Sequence, residues 1–391
     1  MLKYYQYSRP EFTEDVFTNA PDVKVGEVTK DGVVPTGFFL TTHRPTYYKV
    51  KGEWLLPTRS SLNCVAVVGD GEVVIKEIRD VKVGDKIVLA RSNDAAEGVF
   101  VHTDGFSDEV IQSGGDFVEA SNSTNYKMMY ELLKHEKENN GYIVWVLGPA
   151  VVFDHNTRRG LSKLAENGYV HSLLGGNAMA THDLEGGYLG TALGQDIYTQ
   201  ISEPLGHYNH LDLLNAIRRT GSIKEFIDQG NVKDGFVKTL VKLGVPITLA
   251  GSIRDDGPLP EVTAHVYDSL TNAREELTKA TLVVCLATTL HSASSAEISS
   301  SYRVDDEGNV LPVFFYTVDV TENAVRKVSA ARENVAVRTL VTNVQDFVVN
   351  LEYEMVGHES EFEDEQEVEA VEYVEVKAEA EQEDALAEEI E

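Results

Sequence analysis

Cysteine is scarce in this chain, two in 391 residues. Cys64 lies in the run LNCVAVV and Cys285 in LVVCLAT. That excludes a disulfide framework and a four-ligand zinc site, and buried, inert thiols are expected. Positive charge is short as well, with 34 Lys and Arg against 64 Asp and Glu. A net charge of -30 repels phosphate polymers and anionic lipid, so neither nucleic acid nor a membrane surface is an expected partner, while small charged metabolites remain open. There is no long hydrophobic run: YIVWVLGPAVVF is interrupted by Gly148-Pro149. The N-terminal MLKYYQYSRPEF has no apolar signal core, and the chain is therefore expected to be cytoplasmic. Also missing are a GxSxG elbow, a GxxxxGK[ST] phosphate loop and a GxGxxG after the first strand of the α/β region. Gly206-His207-Tyr208-Asn209-His210 sets two imidazoles three residues apart but brings no third ligand, and no metal is expected.

The length itself favours two domains or more. Through about residue 120, short β-branched runs alternate with glycine turns. The segment Gly69-Asp70-Gly71, between LNCVAVV and EVVIKEI, reads as a hairpin, so residues 1–120 form a small, mainly antiparallel β domain. The stretch from Asp104 to Asn125 is rich in Gly, Ser, Asn and Asp and marks a boundary, followed by a helix over Tyr126 to Lys137. From residue 142 the period changes. The apolar runs YIVWVL, YVHSLL, VPITLA, TLVVCLA, LPVFFYTV and VAVRTLV are separated by helical segments, which predicts an α/β, Rossmann-like parallel sheet over 121–358. A mostly helical insertion at about 183–244 is expected to cap it. Residues 359–391 hold 16 acids and only Lys377, too little apolar side chain to repay ordering, and read as a disordered acidic tail.

In open parallel sheets, ligands bind beyond the carboxyl ends of the strands. Here the six runs end on Gly148-Pro149-Ala150, Gly175-Gly176-Asn177-Ala178, Gly251-Ser252-Ile253-Arg254-Asp255-Asp256, Ala287-Thr288-Thr289-Leu290-His291, Asp319 and Thr342-Asn343-Val344. Small residues, hydroxyls, amides and acids along one edge suit a dinucleotide. Asp319 suits the adenosine ribose, because a carboxylate accepts from a diol and repels a 2′-phosphate, favouring NAD over NADP; its alternative role is a helix cap beside Thr321. Arg254-Asp255-Asp256 is the densest charge cluster of this region. His182-Asp183, His207, His210 and His291 add groups that can move protons near neutral pH.

The runs YIVWVLGPAVV, GGNAMATHDLE, GHYNHLDLLNAI, GSIRDDGPLPEV and LATTLHS resemble the archaeal-type ornithine cyclodeaminase family, a region also found at the C-terminus of bifunctional cyanobacterial arginine dihydrolases. The resemblance runs from about residue 30 to 350 and is strongest after 140. It implies a cytoplasmic NAD-dependent lyase of amino-acid metabolism with a fold of the deoxyhypusine synthase type, forming a homo-oligomer and converting L-ornithine to L-proline and ammonia by internal hydride borrowing. The NAD contacts it implies are Asn177, Ala178, Asp256, Thr288, Thr289, Leu290, His291, Asp319, Asn343 and Val344. For the chemistry, Asp255 or Asp183 is the candidate base, Arg254 the clamp on the substrate carboxylate and His291 a proton relay. Where the family reads Thr-Asp-Val this chain has Thr342-Asn343-Val344, which removes a charge. That difference keeps open an NAD-dependent oxidoreductase or lyase acting on another amino acid. A non-catalytic, NAD-binding regulatory protein with a partner-binding tail is the third reading. Guanidine hydrolysis is not expected, since the dihydrolase module needs a far longer N-terminal part.

Overall fold

Strand formation in the second half follows the apolar runs. In Ile143–Leu147 (β8), Ile143, Trp145 and Leu147 face one core cluster while Val144 and Val146 face another, the period-two alternation of a strand covered on both sides. The computed structural model describes residues 5–107, 124–255, 257–333 and 335–357. Asp256, most of the predicted boundary segment and the acidic tail 359–391 lie outside the described residues.

Before β8 the chain is antiparallel. Lys24–Glu27 (β1), Val65–Val68 (β4), Val73–Lys76 (β5) and Lys86–Leu89 (β6) pair in the order β1-β6-β4-β5, and Thr46–Val50 (β2), Glu53–Leu55 (β3) and Val99–Val101 (β7) in the order β3-β2-β7. The expected Asp-Gly turn joins β4 to β5, with Gly71 at a φ of 87° that favours glycine. Ala66 packs into one cluster with Tyr48, Val73 and Val99, whereas Val65 and Val67 pack into another with Val28 and Ile87. The run VPTGFFLTT makes only isolated bridges, Phe38 to Leu89 and Leu40 to Val65.

The parallel sheet has six strands in the order β12-β9-β8-β13-β16-β17, namely Ile247–Ala250, Ser172–Gly176, Ile143–Leu147, Leu282–Leu286, Phe314–Asp319 and Val337–Val341. Helices Thr124–Glu138, His155–Glu166 and Val344–Val356 cover one face, and Val266–Lys279, Thr289–Ile298 and Glu322–Ala331 the other. Between β9 and β12 run the helix Asn177–Leu189, a short hairpin (β10, Thr191–Ala192; β11, Gln195–Asp196) and the helices Asn209–Thr220, Ile223–Asp228 and Phe236–Leu243, built around their own core of Leu184, Leu213, Ile217, Phe226 and Val237. A further hairpin, Tyr302–Val304 (β14) with Val310–Pro312 (β15), precedes β16. Cys64 and Cys285 are buried and free, and burial pushes the Cys64 thiol up to about 11. No helix among the described residues is long and apolar enough to cross a membrane.

Candidate active site

Registers align the strand ends. Leu249 pairs with Gly175, Gly175 with Leu147, Leu147 with Leu286, Leu286 with Val318 and Val318 with Leu340, so the residues after this row all emerge at one level. Counted from β8, the chain lays two strands to one side, then crosses back to lay three on the other. The connections after β8 and β13 therefore diverge and leave a crevice between them, the switch point where such sheets bind ligands.

Two local features build that crevice. At Gly148, a Cβ would lie 2.0 Å from the Ala287 carbonyl oxygen, so only glycine lets the two connections come together. Ala287 holds a left-handed φ of 51°, an uncommon conformation for a residue with a side chain. Behind them start two helices. Asn177–Leu189 begins directly after β9 at Gly176, and Thr289–Ile298 begins at Thr288, so unbonded amides and two positive dipole ends converge beside the crevice. Asn177 is buried and its Oδ1 accepts from Leu259 N at 2.9 Å, tying the loop after β12 to this helix, while Ala178 is exposed. His291 lies across the crevice, its Cε1 3.1 Å from where a Gly176 Cβ would stand. Desolvation holds its imidazole below the ordinary histidine value, so it is neutral at pH 7 and can both donate and accept. Its neighbour Leu290 is 77 % exposed, an apolar side chain open to a ring.

The remaining candidates spread along the edge. Asp319 ends β16 and uses Oδ1 to accept from the amide and hydroxyl of Thr321, both at 3.0 Å. It thus makes the capping turn and still presents Oδ2. The exposed Asn343 accepts from Gln345 N at 2.8 Å and opens the helix at the buried Val344. At the opposite end, after β12, Arg254 is exposed and Asp255 turns back on its own loop, Oδ2 accepting from Ser252 N at 2.7 Å. The ends of β12 and β17 lie about 24 Å apart across five strand spacings. No amino acid reaches both, whereas a dinucleotide over the crevice with a substrate beside it occupies much of that edge.

Asp183 is not at the edge. It is fully buried, Oδ1 accepting from Arg158 Nε at 2.8 Å and Phe236 N at 3.2 Å and Oδ2 from Val237 N at 2.7 Å, which leaves no oxygen turned to a substrate. Glu185, two residues along the same helix, was not among the sequence candidates. It is also fully buried and accepts from Thr191 Oγ1, Gly194 N and Leu193 N while pairing with His182 Nδ1 at 2.9 Å. His182 stands 5.5 Å from Phe153, just past the Gly148-Pro149 turn, and 6.1 Å from His210. The His-x-x-Glu spacing on one helix face, directly after a strand end, was the signal available for this pair. Among the described residues no cluster of His, Cys, Asp and Glu is arranged to hold a metal ion.

Comparison with known proteins bears on this geometry. Residues 127–351 match the family described as arginine dihydrolase ArgZ-like, C-terminal, Rossmann fold. The ornithine cyclodeaminase of Methanocaldococcus jannaschii is 35% identical over 360 residues, covering 87% of this chain and 79% of that one. A LOR/SDH protein from Methanococcus maripaludis S2 superposes with a TM-score of 0.75 at 29% identity, covering 86% of this chain and 98% of that one. The ternary complex of AgrE with ornithine and NAD+ gives a TM-score of 0.54 at 27% identity over 86% of this chain and 46% of that one. The extent of the family match and of the archaeal alignment places this chain in the archaeal-type ornithine cyclodeaminase family, with the Rossmann-fold region of the ArgZ-like proteins.

Proposed function

We propose that the protein is an NAD-dependent ornithine cyclodeaminase that converts L-ornithine to L-proline and ammonia. The observation that carries this reading is the switch-point crevice, with Gly148 pressed against Ala287 and His291 facing Gly176, in a family whose relative AgrE holds ornithine and NAD+ together. The residues fit a dinucleotide: glycine at the closest approach, two helix N-termini for the pyrophosphate, and Asp319 Oδ2 for a ribose diol, favouring NAD over NADP. NAD, when bound, supplies a hydride acceptor that is regenerated within each turnover, so no outside reductant is needed.

The chain's own residues then have separable tasks. Asn177, Ala178, Thr288, Thr289, Asn343 and Val344 line the dinucleotide. Leu290 excludes water from the reacting face. Arg254 holds the substrate carboxylate. His291, neutral and without a hydrogen-bond partner among the described residues, takes and returns the proton of the substrate amines. Asp255 shapes the Arg254 loop through Ser252 and is the better of the two carboxylate candidates for a base, since Asp183 is fully engaged with Arg158.

Purified protein given ornithine and NAD+ is expected to form proline and ammonia in equal amounts without net NADH. Ornithine deuterated at Cα is expected to give proline that keeps the label. Stoichiometric NADH release, or turnover of a different amino acid with none of ornithine, would favour the second reading, an NAD-dependent oxidoreductase or lyase on another amino acid. The uncharged Asn343 is the feature that supports that alternative.

We also assign residues 1–120 to a separate β domain and 121–358 to the catalytic domain. Two apolar clusters drawn only from residues within 28–101 support the division. A homo-oligomer is expected, with Leu193, Tyr198, Ile201, Leu205 and Tyr208, each more than half exposed around one turn of the insertion, as its contact; a monomer by light scattering would overturn this.

A further inference from the structure

Packed helices ordinarily seal the groove between them with apolar side chains. The helices His155–Glu166 and Phe236–Leu243 do this on their inner stripes, where Leu161, Leu164, Phe236 and Leu240 join the core. Beyond that seal they part around a cleft of about 460 Å³ whose walls carry Arg158, Arg159, Lys163, Lys233, Lys238 and Lys242. The spacing is helical on both sides, so the cationic stripes of the two helices face each other. Among the described residues, two carboxylates, Asp234 and Glu166, line the same cleft. On a chain of net charge -30, a concave cluster of this sign is the opposite of the surrounding surface.

The bonding around the cleft separates structural cations from available ones. Arg158 is buried and spent: Nε on Asp183 Oδ1, Nη2 on the Asp183 carbonyl and Nη1 paired with Asp234 Oδ1, each at 2.8 Å. It forms the floor. Arg159 reaches Glu352 at 3.5 Å and Lys163 reaches Glu166 at 4.0 Å, both loose pairs. Lys238 donates to the carbonyls of Val232 and Lys233, which fixes its ammonium at the turn without neutralising it. Lys233 and Lys242 have no ion pair among the described residues. Burial, and then repulsion from Lys242 one helical turn away, hold the Lys238 ammonium below its ordinary value, against a smaller opposing pull from Asp234. Three ammonium groups thus share one cleft in which Asp234, already paired with Arg158, is the carboxylate that offsets Lys238, an excess of positive charge that a bound anion would neutralise.

We propose that this cleft is a binding site for a small polyanion, a metabolite bearing at least two phosphate or carboxylate charges, held by Lys233, Lys238 and Lys242 over the Arg158 floor. The volume is that of a small-molecule pocket, and the acidic surface around it disfavours a nucleic-acid strand. The site is distinct from the crevice and does not depend on which reaction the crevice performs.

The test is calorimetric titration of the full chain with inorganic pyrophosphate in one arm and citrate in the other, with NAD+ held saturating so that phosphate sites of the crevice are filled. One site per chain is expected. Tighter pyrophosphate binding identifies a phosphate ligand and tighter citrate binding a carboxylate one. The double variant Lys233→Gln/Lys242→Gln should bind at least roughly tenfold more weakly, since two charge-assisted contacts are lost, with a melting temperature no lower than the parent's. Lys51→Gln, on an exposed turn of the β region, should bind as the parent does. Absence of binding by both probes at low millimolar concentration, loss of binding when NAD+ is added, or an unaffected double variant would overturn the proposal. A failure of NAD+ itself to bind would register separately and count against the reading of the crevice alone.

Discussion

Asp183 has its carboxylate saturated by one guanidinium and two amides inside the protein. Removing its charge leaves Arg158, which is 1 % exposed, with the half-exposed Asp234 as its remaining carboxylate, against neighbours that Gly186 and Gly235 keep in close contact with it. Asp183→Asn is therefore expected to cost about 3 kcal/mol of stability, read by urea unfolding. Turnover per folded molecule should change little, and a variant that is stable but inactive would return Asp183 to the chemistry. His291 gives the opposite expectation. Its burial disfavours the imidazolium, so the acid limb of kcat/KM should fall below the ordinary histidine value of about 6.5, with activity present above that limb and lost as pH drops through it. His291→Asn should lower turnover by roughly a hundredfold and abolish that limb, with little change in melting temperature. A limb that persists in the variant would assign it to another group.

Among the elements, the junctions after β8 and β13 matter more than the strands they follow. Gly148→Ala would put a methyl 2.0 Å from a backbone oxygen, where no side chain can swing aside. The connections must separate, and the expected results are NAD+ binding at least roughly tenfold weaker and a stability loss of about 1–3 kcal/mol. Calorimetry and thermal melting read the two separately. Unaltered NAD+ affinity would remove this junction from the cofactor site. The helix Asn177–Leu189 serves several purposes at once. Its first turn faces the crevice, Asn177 anchors the loop after β12, His182 and Glu185 brace the turn after Leu189, and Asp183 reaches back to Arg158. That density of polar bonds explains a helix whose side chains are buried on nearly every side.

For the molecule as a whole, half of the net negative charge belongs to residues 359–391. The N-terminal strands and the parallel sheet meet through polar contacts, among them Arg274 to Glu77 and the Arg59 guanidinium to the Ala280 carbonyl at 3.1 Å, and through Tyr5 and Phe106, which join the apolar cluster of Trp145 and Phe314. Deleting 359–391 is expected to leave melting temperature and turnover within error of the full chain, because so few apolar side chains there can add to a core. A large drop in melting temperature would show that the segment docks.

Strand and helix periodicity along 142–356, the turn at Gly69-Asp70-Gly71 and the polar residues after each apolar run were legible in the sequence, because each depends on neighbours within a few positions. So were the family runs, including GSIRDDGPLPEV, which survive as contiguous text. Strand order was not: nothing local to β8 and β13 says that they lie side by side, and that adjacency alone creates the crevice and the need for glycine at position 148. Charge was misleading for the same reason. Asp183 and Asp255 look equally available in the sequence, yet one meets Arg158 from 25 positions away and the other folds onto its own turn. Local sequence sets backbone preference and which faces are apolar, whereas the partner of a carboxylate, and hence whether it can take a proton, is chosen only when distant helices pack.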